Sequence, residues 1–165
     1  MNDAHLHLVV NHFPIIGTIF GLGILITGLF LKNNSVKNTA YILLVVAAVF
    51  AALSMGTGEG AEELVEDMPT VGKQIIHEHE ELAEKFALVL YATGVLALIG
   101  LFLSFKKNSL EKYVAMATVV LTLIAVVLAK EVGTSGGEIR HTEIRNEAKL
   151  ATGGETQEQG EEDND

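Results

Sequence analysis

The sequence predicts an all-α integral membrane protein, a four-transmembrane-helix bundle built from two parallel helical-hairpin repeats. Three observations predict it: four long apolar runs without charge, short lysine-bearing connections, and motifs that recur at one spacing. Of the 165 residues, 49% are hydrophobic, and the mean hydropathy is +0.37. That is high for a soluble domain of this size.

The predicted spans are 13–31, 39–55, 86–105 and 113–129. A membrane-crossing helix needs about 17–25 apolar residues at about 1.5 Å rise each. Phe13–Leu31 supplies an uncharged run, and Tyr41–Met55, Phe86–Phe105 and Tyr113–Ala129 supply the others. Leu, Val, Ile, Ala and Gly dominate all of them. A soluble bundle of helices apolar all round would need a polar outer layer, and no segment supplies one. The first run lacks a basic flank and a small-residue cleavage site, so it reads as a retained helix, not a signal peptide. Residues 1–150 form the predicted transmembrane domain. Residues 151–165 are rich in Gly, Gln and acid and read as a disordered tail.

Charge sets the predicted orientation. Loop 32–38 carries Lys32 and Lys37 and no acid, and loop 106–112 carries Lys106, Lys107 and Lys112 against Glu111. Short basic loops read as cytoplasmic. Loop 56–85 is acidic, with Glu59, Glu62, Glu63, Glu66, Asp67, Glu78, Glu80, Glu81 and Glu84. It reads as facing outward, with both termini. The net charge of -10 offers no broad basic surface for nucleic acid.

A repeat is legible. His5-Leu-His7 recurs as His77-Glu-His79, and Gly28-Leu-Phe-Leu31 recurs as Gly100-Leu-Phe-Leu103, both at an offset of 72 residues. Gly56-Thr-Gly-Glu59 is answered by Gly133-Thr-Ser-Gly-Gly-Glu138 after a small insertion. Two hairpins that both run out–in–out are parallel repeats about an axis along the membrane normal. That arrangement puts both His-x-His pairs and both Gly-Thr turns at the same outer face. Duplication of a stable hairpin without any function is the plainer reading of the same pattern.

Chemistry concentrates in the six histidines, all near the predicted outer helix ends. With no Cys, disulfides, thiolate metal sites, iron–sulfur clusters and covalent c-type haem are excluded, so any haem is held by His or Met. A histidine at a membrane interface is commonly a hydrogen-bonded anchor. Several at one face, one of them on an apolar stripe, point to a ligand set. Pro69 can open a helix into the third span. On it Ile75, His79, Leu82 and Phe86 share a face, while His77 shares one with Glu81 and Glu84. His12 stands in Asn11-His-Phe-Pro14 at the membrane entry, where Pro14 suits a first helical turn. His5 and His12 share a helical face that His7 does not. Gly136 and Gly137 give the backbone freedom to fold His141 over the bundle mouth. Glu59 and Glu138 are either solvated acids or carboxylates that hold a ligand imidazole by its other N–H. Gly17-Thr-Ile-Phe-Gly21 permits close packing within the bundle. No charged or strongly polar residue lies mid-span, and lone hydroxyls such as Ser54, Thr93, Thr118 and Thr122 are common in spans, which argues against a transport path. No P-loop, nucleotide fingerprint, Ser-His-Asp order or HExxH is present.

At these residues the chain resembles a bacterial family of predicted four-helix membrane proteins of unknown function with a His-Phe-Pro entry motif. The resemblance rests on residues 6–15 (LHLVVNHFPI), 57–63 (TGEGAEE), His79 and 136–141 (GGEIRH). It covers nearly the whole chain except the tail. Relatives in that family occur fused to cytochrome c modules or beside electron-transfer proteins. The resemblance therefore implies a b-type-cytochrome-like role in a bacterial cytoplasmic membrane, next to a c-type cytochrome or a respiratory complex. The positions matching the family's histidines are His7, His12, His79 and His141; His5 and His77 match less clearly.

The leading expectation is an electron carrier or accessory subunit, not itself an enzyme, that holds haem b at the outer face. Its axial pair is drawn from His7, His12, His79 and His141, with His79 paired to His12 or His7. A non-haem zinc or copper site from the same histidines is the alternative. A non-catalytic structural subunit of a membrane complex, with anchoring histidines and a partner-binding acidic loop, is the other.

Overall fold

The computed structural model of the chain describes residues 2–66, 68 and 71–145. The predicted tail and Pro69 lie outside these residues. The described chain is helical: α1 Asp3–Val10, α2 His12–Phe30, α3 Asn34–Glu62, α4 Lys73–Phe105 and α5 Glu111–Arg140, then a short 3-10 turn at Thr142–Ile144. Helices α2 to α5 form a four-helix bundle in which α2 packs on α3, α3 on α4, α4 on α5 and α5 back on α2. Taking α1 and α2 together, four helices are long and apolar enough to cross a membrane.

Helix α1 runs almost directly into α2. Asn11 alone separates them, and its backbone is still right-handed helical. Pro14 explains the break, because it has no N–H to offer the Val10 carbonyl one turn back. Pro14 thus lies in the first turn of α2, as its sequence context suggested, and the helix from Asp3 to Val10 precedes it with only Asn11 between.

The expected loops are shorter than the charge pattern implied. Residues 34–38 already belong to α3, residues 56–62 extend α3, and residues 73–85 extend α4. The Gly56-Thr-Gly and Gly133-Thr-Ser segments are therefore helical and not turns. Helix α4 starts at Lys73, after Gly72.

Both turns at the lysine end use the same device. The Lys32 N–H donates to Leu29 O at 3.1 Å and the Asn33 N–H to Gly28 O at 3.0 Å. The Lys107 N–H donates to Ser104 O and the Asn108 N–H to Leu103 O, each at 3.0 Å. These are Schellman closures, and they require a left-handed residue, here Lys32 at φ 48° and Lys107 at φ 51°. The asparagine that follows then accepts a backbone N–H from two residues on, which caps α3 at Asn33 and braces the turn before α5 at Asn108. Asn33 Oδ1 accepts from Ser35 N at 2.9 Å, and Asn108 Oδ1 from Leu110 N at 2.9 Å.

The interior mixes small and hydroxyl residues, Thr18, Ala40, Thr93, Ala97, Ala115, Thr118, Thr122 and Ala125, with the larger Leu25, Tyr41, Leu44 and Leu90, all fully buried. Large apolar side chains point out, among them Phe20, Leu88, Phe102 and Val127. Small residues at helix contacts permit close approach, a packing that would also serve in lipid, where no hydrophobic gradient drives helices together. A Cβ on Gly17 would lie 2.9 Å from Ala47 Cβ, and one on Gly21 2.6 Å from Leu44 Cδ2. The expected GxxxG contact is thus a packing contact of α2 on α3. The buried threonine hydroxyls all donate to their own helix: Thr18 to Pro14 O, Thr93 to Val89 O, Thr118 to Val114 O and Thr122 to Thr118 O.

Candidate functional site

The site lies at the histidine end, where α1 meets the end of α3 and α4 meets the end of α5. His7 is half-buried on α1. Its Nδ1 sits 3.1 Å from the Ser54 carbonyl oxygen and 3.1 Å from Thr57 Oγ1, both on α3. His79 is half-buried on α4, with Nδ1 2.9 Å from Ser135 Oγ on α5. The two rings stand at the same end of the bundle, on helices that both pack against α3. Each imidazole is thus held through Nδ1 by the last turns of another helix, α3 for His7 and α5 for His79, and the described residues place no hydrogen bond on either Nε2.

Glycine lets these rings sit against helix backbone. A Cβ on Gly136 would come 3.0 Å from His79 Cε1 and 3.5 Å from its Nδ1, so any larger residue there would press the ring out of its place by a few tenths of an ångström. Gly58 lies near His7 in the same way but less tightly, its Cβ position 3.9 Å from Cε1.

The remaining histidines are elsewhere. His12 is exposed; its Nδ1 donates to Leu8 O at 2.9 Å, and the ring borders a shallow apolar groove with Phe13, Ile16, Phe20 and Val46. His5 is exposed on α1. His77 is exposed beside Glu81 at 3.4 Å and Glu80 at 3.9 Å. His141 does not fold over the bundle mouth. It is exposed, with Nδ1 2.9 Å from Glu143 Oε1. The Glu143 backbone N–H and then His141 hold that carboxyl below the usual carboxylate range. The α5 end is closed instead by Arg145, whose Nε donates to Glu138 O at 2.6 Å and whose Nη2 donates to Ile139 O at 2.9 Å.

The carboxylates expected to hold the rings do not. Glu59 is exposed and Glu138 is buried beside Arg145, while Thr57 and Ser135 take the Nδ1 positions. The sequence carried a signal for these hydroxyls, a hydroxyl residue directly before glycine in Thr57-Gly58 and Ser135-Gly136. Pairing the motifs by their glutamates hid it. Among the described residues no group of three or more His, Cys, Asp or Glu could hold a metal ion.

No family model, no curated protein and no solved structure matches the chain. The site therefore has to be read from its own geometry.

Proposed function

We propose that the chain is a membrane-embedded b-type haem protein that carries electrons at the outer face of a bacterial cytoplasmic membrane. The observation that carries this reading is that His7 and His79, one from each hairpin, both have Nδ1 engaged while, among the described residues, neither Nε2 has a hydrogen bond. Two imidazole nitrogens are what an iron porphyrin needs axially, and haem supplies one-electron chemistry when bound. The chain's own residues would hold the rings, exclude water by burial, and fix ring orientation through α3 and α5.

Charge and ligand count favour haem over a bare divalent ion. Two neutral imidazoles give a zinc ion neither four ligands nor compensating charge, and an uncompensated buried charge is costly. The porphyrin dianion brings its own four nitrogens and its own charge. The alternative of a non-haem metal centre would need ligands that the described residues do not group together.

The repeat is supported by burial as well as by motif. At an offset of 72, buried Pro14, Thr18, Gly21, Leu22, Leu25 and Gly28 correspond to buried Phe86, Leu90, Thr93, Gly94, Ala97 and Gly100. At an offset of 78, buried Ala40, Leu44, Ala47 and Ala51 correspond to buried Thr118, Thr122, Ala125 and Ala129. The same offset relates Thr57 to Ser135. In this reading His7 and His79 are equivalent ligands about a pseudo-two-fold axis, and the helices cross the membrane with both termini outward. Lys32, Lys106, Lys107 and Lys112 face the cytoplasm. The exposed acids of α3 and α4 form a docking surface for a basic redox partner such as a c-type cytochrome.

An optical spectrum of detergent-solubilised protein expressed with ample haem tests the reading. Soret and α bands that shift on dithionite reduction are expected. Their absence overturns it, and stoichiometric zinc or copper by elemental analysis would replace it with the metal alternative.

A further inference from the structure

We infer that Ser135 is a positioning residue that locks the His79 imidazole in one tautomer, with the proton on Nδ1 and the lone pair on Nε2, and that the Ser54 carbonyl, with Thr57 beside it, holds His7 in the same form. The argument counts protons. A hydroxyl has one to give. Thr57 Oγ1 lies 3.0 Å from Ser54 O and 3.1 Å from Leu53 O, its own helix carbonyls. Ser135 Oγ lies 3.1 Å from Val132 O. Each hydroxyl spends its proton on a carbonyl that can only accept, so each presents only lone pairs to the ring beside it. Nδ1 of His7 and of His79 must then be the donor.

The two locks differ in strength. His7 Nδ1 also faces the Ser54 carbonyl at 3.1 Å, an acceptor under any rotation of Thr57. Among the described residues His79 Nδ1 has Ser135 alone. A hydroxyl can turn and donate, so the His79 lock depends on Ser135 keeping its bond to Val132. Which ring nitrogen carries the proton is set by the bond the other nitrogen makes. Removing Ser135 therefore frees His79, whereas removing the Thr57 hydroxyl leaves His7 locked by backbone.

The lock stands without any bound group. Its value to the site, a lone pair kept ready on each Nε2, rests on the haem reading. Nitrogen-15 NMR of histidine-labelled, haem-free full chain in detergent, at a pH where the rings are neutral, reads the tautomer directly. His7→Gln and His79→Gln assign the signals. In the unsubstituted protein both residues show protonated Nδ1. Ser135→Ala turns His79 into a mixture with protonated Nε2, Ser135→Thr restores the single form, and Thr57→Val leaves His7 unchanged. A predominantly Nε2-protonated His79 in the unsubstituted protein overturns the inference even if no variant folds. So does a Ser135→Ala protein whose His79 pattern does not move. A missing haem spectrum with the NMR pattern intact removes the haem reading alone.

Discussion

Lys37 and Glu111 form a buried ion pair at the lysine end, joining two helices across 74 residues of sequence, and Tyr41 donates to the other oxygen of the same carboxylate at 2.9 Å. The side chains of the pair are only 9% and 11% exposed. Two repeat glycines make room for it. A Cβ on Gly28 would lie 2.8 Å from Lys37 Cγ and from its backbone nitrogen, and one on Gly100 2.6 Å from Tyr41 Cζ. Lys37 was counted above as a free cytoplasmic charge, but it is neutralised by its partner. The positive charge of that end comes from the other lysines.

Removing one member of such a pair leaves the other buried and uncompensated. Lys37→Met should cost about 3–5 kcal/mol. Lys37→Met combined with Glu111→Leu should cost much less, because no orphan charge remains. Thermal unfolding of the solubilised single and double variants checks this, and equal losses in both would refute it.

Gly100→Ala drives its methyl into the Tyr41 ring, and the backbone-to-ring approach leaves little to yield. Overpacking of this kind costs about 1–3 kcal/mol. Gly23→Ala, which meets nothing within 4 Å, should instead be neutral or slightly stabilising. The same melting experiment separates the two.

Lysine in a left-handed conformation is strained. Lys32→Gly and Lys107→Gly should each stabilise the fold by about 0.5–1 kcal/mol, the relief of the left-handed penalty less the greater chain entropy of glycine. Alanine at either position should bring no such gain.

The haem reading makes a residue-specific claim at the other end. His7→Gln and His79→Gln should each abolish the low-spin haem spectrum. The same change at His5, His12, His77 or His141 should leave the bands in place. Gly136→Ala should displace His79 and broaden or lose the bands, whereas Gly58→Ala, with its neighbour at 3.9 Å, should not. Loss of the spectrum on replacing His12 would return the ligand assignment to the membrane-entry histidine.

His79 was legible because α4 runs unbroken from Lys73 to Phe105, so helical phase carries from the apolar stripe back to the ring. His77 reads as solvent-facing by the same logic. His7 was not settled that way. Its phase depends on a helix that begins at Asp3 and is interrupted at Asn11, and Pro14 alone does not say whether helix precedes it. Phase did separate His7 from His5 and His12, without saying which face was inward.

By itself the sequence determined four apolar helices and their order, because length and composition are local quantities. It also determined the gathering of histidines at one end and lysines at the other, which follows from helix direction alone. Only the tertiary structure decided that His7 and not His12 is hydrogen-bonded to a neighbouring helix, that hydroxyls stand at the Nδ1 positions of His7 and His79, and that Lys37 meets Glu111. Each of these is a contact between helices distant in the chain. It is set by how closely glycines such as Gly28, Gly100 and Gly136 let backbones and side chains approach, a distance that no periodicity encodes.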